Sequence, residues 1–263
     1  MTQGRFKCGF DSRPAPRAAG TSGLGLLMRW PAVRPLCLAA ALLLGACQHA
    51  PAPPATTPTS SNWTDGWQPF AIPGKTATSY TARMADGRWV LHAQSHTSAS
   101  LYRRALRVEP ERLGKLSFSW KADALPADAD VRQGEREDAV VRVLLAFDGD
   151  TASLAPRTRL MFELMQSLTG EAPPFATLMY VWDSRAEVGS VVHNPRSDRI
   201  RKIVLESGPQ HAGQWRSYER DVRADFRRAF GEEPGPLIGV AVMTDSDNTR
   251  STAEAWYGEI RLQ

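Results

Sequence analysis

The chain has 263 residues, 42% of them hydrophobic and 23% charged, a composition for a folded protein with a core of its own rather than a disordered or fibrous one. Its formal charge of +4 comes from the N-terminal part: six of 32 basic and one of 28 acidic residues precede Cys47, leaving 26 basic against 27 acidic. The remainder is near neutral and gives no reason to expect a nucleic-acid partner, which would need a basic patch on the folded domain.

In chain order, Met28 to Cys47 carries Arg29 and Arg34, then an apolar stretch from Leu36 to Leu44, then Gly45-Ala46-Cys47. A basic start, a short apolar run and small residues at the cut form a signal peptide, and the apolar run is too short to span a bilayer. Leu44-Gly45-Ala46-Cys47 resembles a bacterial lipobox, which implies cleavage before Cys47, acylation of its thiol, and membrane attachment through that N-terminal lipid. The residues ahead of Met28 lack periodicity, so translation is expected to start at Met28, within the 1–46 signal segment. Gln48, where Asp signals inner-membrane retention, points to an outer-membrane lipoprotein facing the periplasm. The other cysteines, Cys8 and Cys37, leave with the signal peptide, so the mature chain forms no internal disulfide.

Residues 47–62 hold the acylated cysteine and a Pro, Ala, Thr and Ser tether. From Trp63 to Gln263 one domain is expected. Ten runs read as strands: 79–83, 89–95, 98–108, 115–122, 140–148, 176–183, 199–206, 215–222, 237–245 and 253–262. Several alternate, as where Val141, Val143, Leu145 and Phe147 oppose Arg142, or where Leu116, Phe118 and Trp120 oppose Ser117, Ser119 and Lys121. Arg159 to Leu168 has helical propensity, and Val222 to Phe230 spaces Val222, Phe226 and Phe230 four apart before Gly231. The expected fold is mainly β: a single jelly-roll-like antiparallel β-sandwich with one or two short helices, which would cover its ends.

The strings SASLYRRALRV, EREDAVVRVLLAFD, LMYVWD, GQWRSYERDVRADFRRAFG, MTDSDNT and AWYGEIRL together resemble the bacterial exported proteins of the domain of unknown function 3047 family. The resemblance spans essentially all of 63–263 and implies no established activity. The order GQW, a β-run, and a final strand containing Glu259-Ile260 is also similar, more weakly, to carbohydrate-binding jelly-roll modules.

Seven tryptophans remain after cleavage, and sugars bind flat on aromatic faces with carboxylates and amides at the rim. Tyr180 and Trp182 share one strand face and suit either a core or a platform, whereas Trp120 and Trp256 read as core. Arg142 interrupts an apolar strand and needs a partner, either Asp138 or Asp245 in an ion pair or an anionic group in a cleft. Arg142, Tyr180, Trp182 and Asp183 are the candidate ligand-binding residues. Asp245, Asp247 and Asn248 offer oxygen donors of the kind Ca²⁺ takes, or else form an Asx-type turn. Asp221 is placed to cap the second helix. No nucleophile elbow, zinc-protease motif or phosphate loop occurs. His92, His96, His193 and His211 are scattered, though His92 and His96 are near enough in sequence to share a site. The expected function is non-catalytic binding of a glycan or other envelope ligand. The alternatives are a polysaccharide hydrolase or lyase with two carboxylates drawn from Glu163, Asp183, Asp245 and Glu259, and a purely structural envelope lipoprotein.

Overall fold

A computed structural model describes residues 62–263; Cys47, the signal segment 1–46 and the tether up to residue 61 lie outside the described residues. Thirteen strands follow one another: β1 Gln68–Ala71, β2 Ser79–Ala85, β3 Arg88–His96, β4 Ala99–Val108, β5 Lys115–Ala122, β6 Val141–Phe147, β7 Ala176–Asp183, β8 Val191–Asn194, β9 Ser197–Ser207, β10 Arg216–Asp221, β11 Leu237–Asp245, β12 Thr252–Tyr257 and β13 Arg261–Leu262. Two helices interrupt them, α1 Pro156–Thr169 after β6 and α2 Val222–Phe230 after β10.

The strands form two sheets. One has seven strands in the order β1-β4-β11-β6-β7-β9-β8; the other runs β10-β5-β12-β3-β2, with β13 also paired to β5. Pairing is antiparallel except between β7 and β9. The antiparallel sandwich expected from the sequence holds apart from this one pair. After β7 the chain passes over one strand position to make the edge strand β8, then turns back into the vacant position, so β9 must run parallel to β7.

The core lies between the sheets. Leu116, Phe118 and Trp120 of β5 meet Val141, Val143, Leu145 and Phe147 of β6 and Tyr180 and Trp182 of β7. Phe118 stacks on Tyr180 with centroids 5.5 Å apart. Tyr180 and Trp182 are both 0% exposed, which corrects their assignment to a ligand platform. Their polar tips are satisfied internally, Trp182 Nε1 donating to the Gly208 carbonyl at 3.0 Å and Tyr180 OH to Asp225 at 2.8 Å. Each large apolar side chain so buried contributes about 1.5–3 kcal/mol.

The helices behave differently. In α2, Asp221 accepts from Ala224 N at 2.9 Å, Gly231 ends the helix at φ 74°, and Phe226 packs between Phe147 and Phe230. By contrast α1 buries none of its residues, so it is not the end cover the sequence suggests. The final predicted strand is split into β12 and β13 at Gly258, whose N–H turns to the Ser119 carbonyl.

Candidate functional site

Arg142 and Asp245 sit side by side on the outer side of the seven-stranded sheet, because Met243 of β11 is in register with Arg142 of β6 and Asp245 lies two residues on. Arg142 donates from Nη2 to Asp245 Oδ2 at 2.7 Å and to the Glu137 carbonyl at 2.5 Å. Lys202 of β9 reaches Glu137 Oε1 at 2.6 Å and the Val131 carbonyl at 2.9 Å. Asp138 accepts from Asn248 N, Thr249 N and Thr249 Oγ1. Arg142, Glu137, Asp138, Lys202 and Asp245 are all buried.

This network holds the β5–β6 and β11–β12 loops down on the sheet. It resolves the two readings of Arg142 in favour of the ion pair, with Asp245, and leaves no open cleft for an anionic ligand. Asp183 is spent in the same way, accepting from the backbone N–H groups of Val131, Arg185 and Ala186 at 2.5–2.9 Å. Thus none of Arg142, Tyr180, Trp182 and Asp183 faces solvent.

The charges do not balance evenly. Burial pushes the Asp245 carboxyl up to about 7; Arg142 pulls it back, while Asp138 and Asp247 push it further. Burial, with Arg142 adding to it, lowers Lys202 to about 8. At Arg142 burial opposes the charge, but Asp245, Glu137 and Asp138 together outweigh it and raise its pKa. Acids outnumber bases in the interior of this cluster, and Asp245 is where the surplus falls.

Carboxylate oxygens of Asp138, Asp245 and Asp247 lie within 4.8 Å of one another. Asp245 and Asp247 were legible as candidate ligands; Asp138 takes the place expected of Asn248, which contributes its backbone N–H to Asp138 instead. Each acid already has a partner: Arg142 for Asp245, Lys75 for Asp247, and three donors for Asp138. The geometry therefore favours the turn, because Ca²⁺ needs six to eight oxygens free to face it.

A different surface carries a carboxylate that stays open to water. Along β12, Ala253, Ala255 and Tyr257 point into the core, so Glu254 and Trp256 point outward. Trp256 is in register with His92 of β3 on one side and Lys121 of β5 on the other. The indole stands between them, its centroid 5.0 Å from the His92 ring at 24° and 4.0 Å from Lys121 Nζ. His92 Nε2 lies 2.5 Å from Glu254 Oε1. Gln94 and His96 continue the same face of β3, and Ser117 and Ser119 that of β5.

This outer face is concave. β2 and β10 are opposite edges of the sheet, yet the guanidinium of Arg88 lies 3.9 Å over the Trp215 ring and Trp215 Nε1 donates to Asp86 at 3.0 Å. The sheet must curl for the β2–β3 hairpin to reach Trp215. Asp86 and Gly87, at φ 51° and 72°, make the tight two-residue turn that carries this contact. Inside the curve Trp256 and His92 are buried, while the Glu254 side chain remains 42% exposed. Glu254 and Lys121 were missed as site residues, and so was Trp256, which the sequence reading placed in the core. The available signal was Glu254 two residues before Trp256, which marks the face as outward, and His92 with His96 four apart on one strand.

The four acids proposed as a catalytic pair are not assembled into one. Glu163 is exposed on α1, and Glu259 is exposed and 2.5 Å from Arg261. Asp183 and Asp245, two strand positions apart, are buried and fully engaged.

The chain belongs to the family described as Protein of unknown function (DUF3047), whose model matches residues 65–261. No curated protein matches it. Among solved structures it is similar to the family 11 carbohydrate-binding module of the cellulosomal cellulase Lic26A-Cel5E of Clostridium thermocellum, at 10% identity and TM-score 0.38, over 75% of this chain and 86% of that one. It is also similar to the xyloglucanase domain of NopAA from Sinorhizobium fredii in complex with cellobiose, at 10% identity and TM-score 0.39, over 76% and 94%. A third is a cellulase derived from Cel12A of Rhodothermus marinus, at 11% identity and TM-score 0.37, over 71% and 86%.

Proposed function

We propose that this member of the DUF3047 family is a lipid-anchored envelope protein that binds a glycan, without turning it over, on the concave face of its six-stranded sheet. The observation that carries this reading is the row Lys121–Trp256–His92 with Glu254 beside it, on a curved face that keeps a carboxylate open to water. Binding sites are concave, with an apolar surface and a few placed polar groups. A sugar ring offers C–H groups to an indole and hydroxyls to carboxylate, amide, imidazole and ammonium partners. Glu254, Gln94, His92 and Lys121 supply those partners within one sheet face.

Access to the indole requires the Lys121 ammonium to swing off it. That contact is worth only about 0.5–1 kcal/mol where it is solvent-accessible, and a stacked sugar replaces it. The His92–Glu254 pair also gives the two-carboxylate enzyme a successor in this face, as a carboxylate held against an imidazole is able to move a proton.

The test is a glycan array followed by calorimetry on the hit. Binding lost in Trp256→Ala and weakened in Glu254→Gln, with circular dichroism unchanged, supports the binding module. Release of reducing ends that Glu254→Gln abolishes would replace it with the enzyme. Binding unaffected by either substitution would place the ligand elsewhere.

The anchor rests on the Leu44–Cys47 lipobox. Membrane-fraction recovery of the wild type, changed to an uncleaved or soluble form by globomycin treatment or Cys47→Ser, is expected. An unacylated wild type in the soluble periplasm would contradict it.

A further inference from the structure

Helix α1 displays an exposed arc of apolar side chains set around one arginine. Six large hydrophobic side chains are exposed among the described residues, and four of them belong to α1: Leu160 at 67%, Met161 at 48%, Leu164 at 51% and Leu168 at 59%. With 3.6 residues per turn these four fall within about 100° of the helix circumference, and exposed Arg157 falls in the middle of that arc. Thr158, Phe162, Met165 and Thr169, half-buried, form the adjoining seat.

The helix is tied down at both ends. Thr158 bonds Asp198 of β9 at 3.4 Å, and Glu171, just past the helix, bonds Arg103 of β4 at 2.7 Å. Arg103 is in register with Ala241, which belongs to the cluster on the outer side of the seven-stranded sheet. The helix is therefore moored to the side of the sandwich opposite the concave face. Single exposed apolar residues need no explanation, but four in one arc mark an interaction surface.

We propose that this arc rests on the surface of the lipid bilayer to which Cys47 tethers the domain, with Arg157 meeting anionic headgroups. Interfacial helices bury a leucine-rich face at the headgroup boundary, and an arginine set in that face reaches the headgroups along its apolar stem. At 14 residues α1 is too short to span a membrane, which needs about 20, but long enough to lie on one. The tether from 48 to 62 extends to at most roughly 50 Å, so an acylated Cys47 holds the arc close to lipid and makes even a weak contact effective. The inference rests on the anchored reading only for the nearness of the bilayer.

The experiment uses the whole mature chain with Cys47→Ser, so that binding by the arc is measured without the lipid. It is floated with vesicles of phosphatidylethanolamine and phosphatidylglycerol. Co-flotation is expected, and the triple variant Leu160→Ser, Leu164→Ser, Leu168→Ser should lower the partition coefficient by roughly tenfold or more. Leu164→Cys then provides the sole thiol, and an environment-sensitive dye on it should shift to the blue with vesicles. Absence of flotation, equal flotation by the triple variant, or no dye shift would overturn the proposal. So would a concentration-dependent dimer that the triple variant dissolves, because the arc would then be a contact between copies. Acylation is tested separately by the globomycin experiment, so its failure is distinguishable.

Discussion

The two outer sides of this sandwich both carry charge, and they dispose of it in opposite ways. Outside the seven-stranded sheet, Glu137, Asp138, Arg142, Lys202 and Asp245 are closed under loops and paired with one another and with backbone groups, only Arg142 Nε being left without a partner. Outside the six-stranded sheet, Lys121, His92 and Glu254 line a curved face around Trp256 with the carboxylate still in contact with water. Buried charge is costly unless it is paired, so a network of the first kind fixes loop positions and turns no free charge toward solvent. A face of the second kind keeps unspent hydrogen-bonding capacity. Charge density alone does not locate a site; spare valence does.

The comparison is broken most severely at Arg142. Replacing it with Met strands Asp245 and Glu137 without their guanidinium partner, and removal of one member of a buried pair costs about 3–5 kcal/mol. Urea denaturation should show that loss, and a loss under about 1 kcal/mol would mean that the network is solvated and not structural.

Asp245 gives the next effect. Its folded pKa of about 7 lies above its unfolded 3.8, so between those values the folded state binds the extra proton, and its contribution to stability is lost as pH rises toward and through 7. Lowering the pH from about 7.5 to 5.5 should therefore stabilise the wild type by about 1–2 kcal/mol, and Asp245→Asn should remove that slope. A stability that falls across the same interval would contradict the stated surplus of acid.

Smaller effects belong to the open face. Lys121→Ala and Glu254→Gln should each change stability by less than about 1 kcal/mol, since partly exposed ion pairs and cation–π contacts are worth little. Values of several kcal/mol would show that these residues are structural, as Arg142 is. Calcium and chelator should give the same melting temperature, because Asp138, Asp245 and Asp247 are already partnered. A calcium-dependent rise abolished by Asp247→Ala would restore the metal reading.

The sequence exposed the strands that alternate between turn signals. Lys115–Ala122, Ala176–Asp183, Leu237–Asp245 and the helix Val222–Phe230 have the bounds their patterns suggest. It hid β1, which contains Pro69, and β8, which has four residues, because both are edge strands defined by their single neighbour rather than by periodicity. The Arg142–Asp245 pair was readable as an odd charge needing a partner, but Lys202 was not, since a lysine in an alternating strand reads as solvent-facing. Tyr180 and Trp182 were ambiguous for a definite reason. Met179 and Val181 on the other face of β7 are also covered, by a second apolar cluster, so neither face of that strand is marked by polarity as the outer one. In β12 Glu254 supplies that mark, and the outward aromatic is Trp256.

The most direct test follows the indole N–H resonances of the mature chain by two-dimensional NMR while a glycan identified on the array is titrated in. The account predicts that the Trp256 resonance, assigned by Trp256→Phe, shifts with saturation, while those of Trp182 and Trp120 in the core stay in place. A saturable shift at Trp182 with Trp256 unmoved would contradict it.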